Sequence, residues 1–189
     1  MTKKTKFTTL LIVQIGVMAA LVYVVTLFRF PLFGSRVHFA NALCLISGLL
    51  LGPIPGGLAA GLGSALYDAT LGGYDIANIL ITFVSKFLMA FICAKIACAR
   101  NANTDNRVQD IAASVIGALS YVALYMLKTF IYQAFVYGYP MATVGATMLS
   151  KLIPSLINAL VAMVAAPIVF LALRPAMKKL HVGAMAAKA

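Results

Sequence analysis

Four ionisable residues lie inside predicted apolar helices: Asp68, Lys86, Lys128 and Lys151. On insertion scales, a charged side chain at the centre of a bilayer costs about 2.5–3.5 kcal/mol. Such residues are therefore first candidates for a ligand or ion site. Counted at about 1.5 Å rise per residue, all four fall in the same half of the membrane, on four different helices. This convergence predicts a polar cavity that opens toward one face. The alternative for any single lysine is that its stem extends to the membrane surface.

Neutral polar side chains occur at a similar depth, among them Asn78, Tyr125 and Asn158. Together with three lysines and one aspartate, they predict a site rich in hydrogen-bond donors. Such a site suits a ligand with a carboxylate, a phosphate or several carbonyl groups. Each of these neutral residues alone could instead bridge neighbouring helices.

The connections predicted on the same side of the membrane carry aromatic and basic residues that could form a gate. These are Phe33, Arg36, Tyr74 and Tyr139. The aromatic side chains could close over an aromatic ligand. They could equally form the aromatic belt found where membrane proteins meet the lipid headgroups.

The elements that position these residues follow from the composition. The 189 residues are 63% hydrophobic and only 10% charged, whereas a soluble domain has about 45–50% apolar and about 25% charged residues. The sequence predicts an all-α integral membrane protein with a single transmembrane domain over residues 1–189. Its six helices are predicted at about 7–28, 38–51, 56–71, 76–99, 111–135 and 144–173. Helix 2 is short, and helix 6 is expected to be irregular around Pro154 and Pro167.

The formal net charge of +11 indicates orientation rather than nucleic-acid binding, because the basic residues stand mainly at the ends of apolar segments. Ten lysines and arginines fall on the side of both termini, in contrast to Arg29 and Arg36 on the other side. The positive-inside rule places both termini in the cytoplasm. The loops at 29–37, 72–77 and 136–144 then face outward, and 100–110 is a solvated connection on the inside.

Sequence patterns of enzymes are missing. The chain has no phosphate-binding loop of the type that hydrolyses ATP. Its two histidines, His38 and His181, have no clustered acidic or cysteine ligands, so no metal site is expected. We expect a protein that binds or passes a molecule, without catalysis and without a cofactor.

Small residues form a second pattern. Gly16 and Ala20 are four residues apart on helix 1, and helix 3 carries several glycines and alanines. This spacing lets helix backbones approach closely in lipid. Helix 1 could present its small face to another membrane protein.

Three sequence segments resemble a known family. They are Val37–Asn41, the run Leu50–Asp68 with its Gly-Pro-x-x-Gly-Gly and Gly-Ser-x-x-x-Asp patterns, and Lys86–Ala90. They are similar to the substrate-binding (S) components of energy-coupling factor (ECF) transporters, riboflavin-type branch. The similarity extends from about residue 10 to 173.

The resemblance implies six helices in a bacterial plasma membrane and a vitamin or related micronutrient bound near the outer face, with Asn41 among the residues that bind it. It implies a gate formed by the loops after helices 1, 3 and 5. It also implies a transmembrane coupling (T) subunit, which would contact the face at Gly16 and Ala20, and two cytoplasmic ATPase subunits.

Two other functions stay open at this point. One is a stand-alone secondary transporter or facilitator, with Asp68 and Lys86 as a proton relay. The other is a membrane enzyme or assembly factor of lipid metabolism, which should require an acidic pair or a metal cluster. The sequence does not identify the vitamin.

Overall fold

The computed structural model describes residues 8–32, 35–99 and 107–180, with side chains up to residue 175. Six helices and one small sheet follow one another along the chain. They are α1 Thr9–Leu27, β1 Arg29–Leu32, β2 Ser35–His38, α2 Ala40–Leu51, α3 Pro53–Tyr67, α4 Ile76–Cys98, α5 Arg107–Ile131 and α6 Met141–Leu180. Two π-helical turns, Asp68–Gly72 and Tyr132–Val136, extend α3 and α5.

Four of the helices are long and apolar enough to cross a membrane, within the part of the chain that the structure describes. They are Thr9–Leu27, Ile76–Cys98, Arg107–Val136 and Met141–Pro175. The 12 residues of α2 span only about 18 Å, and the 15 of α3 about 22 Å, against a hydrocarbon layer of about 30 Å. All residues of α2 except Leu43 are buried, so this short helix lies among its neighbours.

The purely helical prediction is wrong between α1 and α2, where a β-hairpin replaces the predicted loop 29–37. Strands β1 and β2 pair antiparallel, with Arg29 opposite His38 and Leu32 opposite Ser35. The predicted start of helix 2 at residue 38 is also wrong, because His38 belongs to β2 and the helix begins at Ala40. An isolated two-stranded hairpin is marginal in water, so contacts with distant helices must stabilise it, and local sequence patterns do not show these.

The connection between the predicted helices 2 and 3, residues 52–55, is much shorter in the structure. Gly52 alone joins α2 to α3, with a φ of 89° that favours glycine. Pro53 occupies the first turn of α3, where a missing N–H costs nothing. Helix 3 therefore begins three residues before the predicted start at residue 56.

Glycines bring the central helices close together. A Cβ atom on Gly57 or Gly61 of α3 would collide with Phe87 or Phe83 of α4, and one on Gly63 would collide with α1. The opposite face of α1 is exposed, as expected of a surface in contact with lipid.

Helix α6 is longer than predicted, and α5 begins earlier than predicted. Helix α6 continues through Pro154, Pro167 and Pro175, although each proline removes a backbone hydrogen bond. Helix α5 begins at Arg107, so the end of the predicted solvated segment 100–110 is helical, and residues 100–106 lie outside the described part. Asp110 is buried and pairs with Arg174 of α6 at 3.6 Å.

Candidate functional site

A cavity of about 650 Å³ lies within the bundle, lined by side chains from all six helices and the hairpin. Its volume falls in the range of about 300–1,000 Å³ that is typical of small-molecule sites. All eight residues predicted to bind substrate line it: Asn41, Asp68, Asn78, Lys86, Tyr125, Lys128, Lys151 and Asn158. Four basic side chains and two acidic ones line the cavity: Arg36, Lys86, Lys128 and Lys151, with Asp68 and Asp75.

The first turn of α2 forms part of the cavity wall. Helix α2 begins at Ala40, shortly after the strand β2, and its first three residues are buried. Asn41, in that first turn, lines the cavity and is 2% exposed.

Lys86 is the most deeply buried charge in the cavity, with 3% of its surface exposed. Its Nζ donates a hydrogen bond to Oδ1 of Asn41 and lies 3.6 Å from the ring centroid of Tyr121, a close cation–π contact. In the described residues no carboxylate lies within ion-pair distance of Lys86, so the Asp68–Lys86 pair required for a simple proton relay does not form.

The other lysines of the cavity are less buried than Lys86. Lys128 is partly buried, with its Nζ 5.8 Å from the ring centroid of Tyr132, and Lys151 is partly buried on α6. Asn78 donates a hydrogen bond to the carboxylate of Asp75. This bond lowers the pKa of Asp75, so the side chain is an anion at neutral pH.

Asn158 joins the hairpin to α6. Its Oδ1 accepts a hydrogen bond from the backbone N–H of His38 at 2.8 Å, and its Nδ2 donates to the backbone carbonyl of Arg36 at 2.7 Å. A further contact joins the Ser35 hydroxyl to the Tyr125 hydroxyl of α5 at 3.3 Å. The amide of Asn158 is therefore used mainly to fix the strand β2 against the bundle.

His38 remains neutral at physiological pH. Burial, followed by the charges of Lys86, Arg36 and Arg29, lowers its pKa from 6.5 to about 3. The ring Nδ1 is buried and makes no hydrogen bond within the described residues. A charged imidazole would add a further cation to a region that is already positive.

The residues predicted to form a gate have different positions. Arg36 and Tyr74 both line the cavity. The guanidinium of Arg36 lies 5.2 Å from the ring centroid of Tyr74. Burial raises the pKa of the Tyr74 phenol. Tyr139 does not line the cavity. Its ring centroid lies 5.8 Å from that of Tyr137, which does line the cavity. Phe33 lies outside the described residues.

Several lining residues were not predicted. The most informative is Tyr121, which lies four residues before Tyr125 on the same face of α5, with the two rings stacked at 6.2 Å. That spacing could have revealed it. Ser35 and His38 could not be found in this way, because Ser35 was predicted in a loop and His38 at the start of helix 2, whereas both lie in the hairpin.

The proposed docking face on α1 is open. Gly16 and Ala20 are both exposed, and nothing lies within 4 Å of a Cβ placed on Gly16. Within the described part of the chain, no group of three histidine, cysteine, aspartate or glutamate side chains could hold a metal ion.

Comparison with known proteins gives a family and a fold. No curated protein matches the chain. A solved structure described as "Structure and mechanism of the S component of a bacterial ECF transporter" superposes with a TM-score of 0.60, covering 90% of this chain and 96% of that one. At 16% sequence identity this likeness shows a shared fold. The sequence model of the family described as "ECF-type riboflavin transporter, S component" matches residues 6–175. The chain therefore belongs to the S components of ECF transporters, which are integral membrane, substrate-binding subunits of transporters.

Proposed function

We propose that this protein binds a vitamin or related micronutrient in its central cavity and delivers it for ATP-dependent uptake. The observation that carries the proposal is the cavity of about 650 Å³ that the eight predicted residues line. ATP hydrolysis would be the task of partner subunits, since the sequence has no phosphate-binding loop.

We place the cavity in the outer half of a bacterial plasma membrane, with both termini in the cytoplasm. The distribution of lysine and arginine supports this orientation. The ligand would enter from outside.

We infer that the hairpin and the connections after α3 and α5 form the gate. Residues of all three segments line the cavity, namely Arg36, Tyr74 and Tyr137. Because Asn158 holds β2 by two hydrogen bonds, its role in this proposal is to position the gate, with any ligand contact secondary.

A transmembrane coupling subunit and two ATPase subunits are the proposed partners, with docking at the Gly16–Ala20 face of α1. Gly16→Leu should prevent co-purification of the coupling subunit and leave ligand binding unchanged. Gly145→Leu is the matched control, because Gly145 is also an exposed helical glycine with nothing within 4 Å of a placed Cβ. Equal co-purification with both variants would exclude this docking face.

Two measurements test the function itself. Mass spectrometry of the purified protein should identify a retained vitamin-like compound, and liposomes with the complete transporter should take that compound up only with ATP. Uptake by this chain alone, driven by a proton gradient, would instead support the stand-alone transporter.

A further inference from the structure

The floor of the cavity contains a buried lysine without a carboxylate at ion-pair distance. Lys86 is 3% exposed, and its identified partners, Asn41 and the ring of Tyr121, are both neutral. In the described residues no carboxylate lies within ion-pair distance. An ammonium group has three N–H donors, so these two contacts leave donor capacity toward the cavity.

Such an arrangement is costly in the empty protein. A charge removed from water needs a partner of opposite sign, and an unpaired one is strongly unfavourable. Asp68 and Asp75 also line the cavity, but neither forms an ion pair with Lys86.

The first turn of α2 adds positive potential at the same place. Asn41 is its second residue, and no side chain caps this helix end. The N-terminus of a helix has a partial positive charge and unpaired N–H groups that favour an anion. The lysine and the helix end therefore favour the same sign of charge.

We propose that the transported ligand is an anion whose carboxylate or phosphate binds Lys86 at the cavity floor, beside the first turn of α2. This inference rests on the proposed function and adds the chemical class of the ligand to it. The ligand supplies a negative group in direct contact with Lys86, which neither Asp68 nor Asp75 provides, while Asn41 and Tyr121 hold the ammonium in position. Lys128 and Lys151 also line the cavity, are less buried, and remain available for other acceptor groups of the ligand.

The test uses two pairs of probes that differ in one charged group. Pantothenate and pantothenol test a carboxylate, and riboflavin 5′-phosphate and riboflavin test a phosphate. Affinities for the wild-type protein are measured by titration calorimetry in detergent. We expect one anion to bind at least tenfold more tightly than its neutral counterpart, and the pair that does so identifies the anionic group.

Variants locate the effect. Lys86→Met should remove that preference, whereas Lys86→Arg should retain part of it. Lys95→Met is the matched control, because Lys95 is an exposed lysine on the same helix, outside the cavity lining, and it should retain the full preference. The wild-type comparison stands even if Lys86→Met fails to fold.

Three results would overturn the inference. The inference is wrong if the neutral compound of a pair binds as tightly as its anion, although the proposed function would then remain intact. It is also wrong if the preference for the anion survives in Lys86→Met. Failure of all four probes to bind would overturn it too; identification of a retained neutral compound would then show that the function still holds.

Discussion

Replacing Asn158 should loosen the hairpin over the cavity. Asn158→Leu keeps the side-chain size but removes the hydrogen bonds of 2.8 Å and 2.7 Å to the backbone of His38 and Arg36. A neutral hydrogen bond contributes about 0.5–1.5 kcal/mol, and a backbone group left unpaired costs more. Because the hairpin is only partly buried and water can partly replace the lost partners, we take about 2 kcal/mol for both bonds. This corresponds to an opening equilibrium shifted about 30-fold, at 1.4 kcal/mol per factor of ten.

Hydrogen–deuterium exchange measured by mass spectrometry tests this without knowledge of the ligand. Peptides that cover 29–38 should exchange about 30-fold faster in Asn158→Leu, while peptides from α3 and α4 should be unchanged. Gln109→Leu is the control, because Gln109 donates a comparable hydrogen bond of 2.7 Å to the carbonyl of Ile96 at the other end of the bundle. Unchanged hairpin exchange in Asn158→Leu would refute the reasoning, and so would equal acceleration in the control.

Three further predictions concern stability, each measured by thermal or denaturant unfolding in detergent. The pKa of His38 is about 3 in the folded protein, against 6.5 for a free histidine. As the pH falls, the unfolded chain therefore takes up a proton first, and the free energy of unfolding should fall by about 1.4 kcal/mol for each pH unit below about 6.5. His38→Asn should remove this dependence, and a wild-type stability that is flat from pH 7 to 5 would contradict it. Gly63→Leu should destabilise the protein by at least about 2 kcal/mol, because its side chain would collide with the backbone of α1, whereas Gly16→Leu should have almost no effect; similar melting temperatures for the two variants would count against this packing. Asp110→Asn should destabilise the protein by about 1–3 kcal/mol, because the partly buried Arg174 loses the negative charge beside it; unchanged stability would contradict a structural role for the pair.

The positions of the membrane charges could be predicted from the sequence. Apolar segments set the helix boundaries within a few residues, and a constant rise per residue then gives the depth of Lys86, Lys128 and Lys151. Their common depth on separate helices was enough to predict that they lie in one cavity. Depth depends only on local geometry, which is why this part of the reasoning agrees with the structure.

The hairpin and the partner of Asp110 could not be predicted in this way. The hairpin depends on Asn158, 120 residues from His38 in the chain, and on Tyr125. Asp110 follows a polar segment and has the appearance of a loop residue, yet it pairs with Arg174, 64 positions later. Contacts over such separations leave no periodic pattern in a single sequence.

The central claim is that the cavity holds a small-molecule ligand, and the most direct test is native mass spectrometry of the protein purified from its expression host. The account predicts an added mass from one bound micronutrient, lost on denaturation and reduced in Lys86→Met but not in Lys95→Met. A protein that carries no such mass, and acquires none when vitamins are added at saturating concentration, would contradict it.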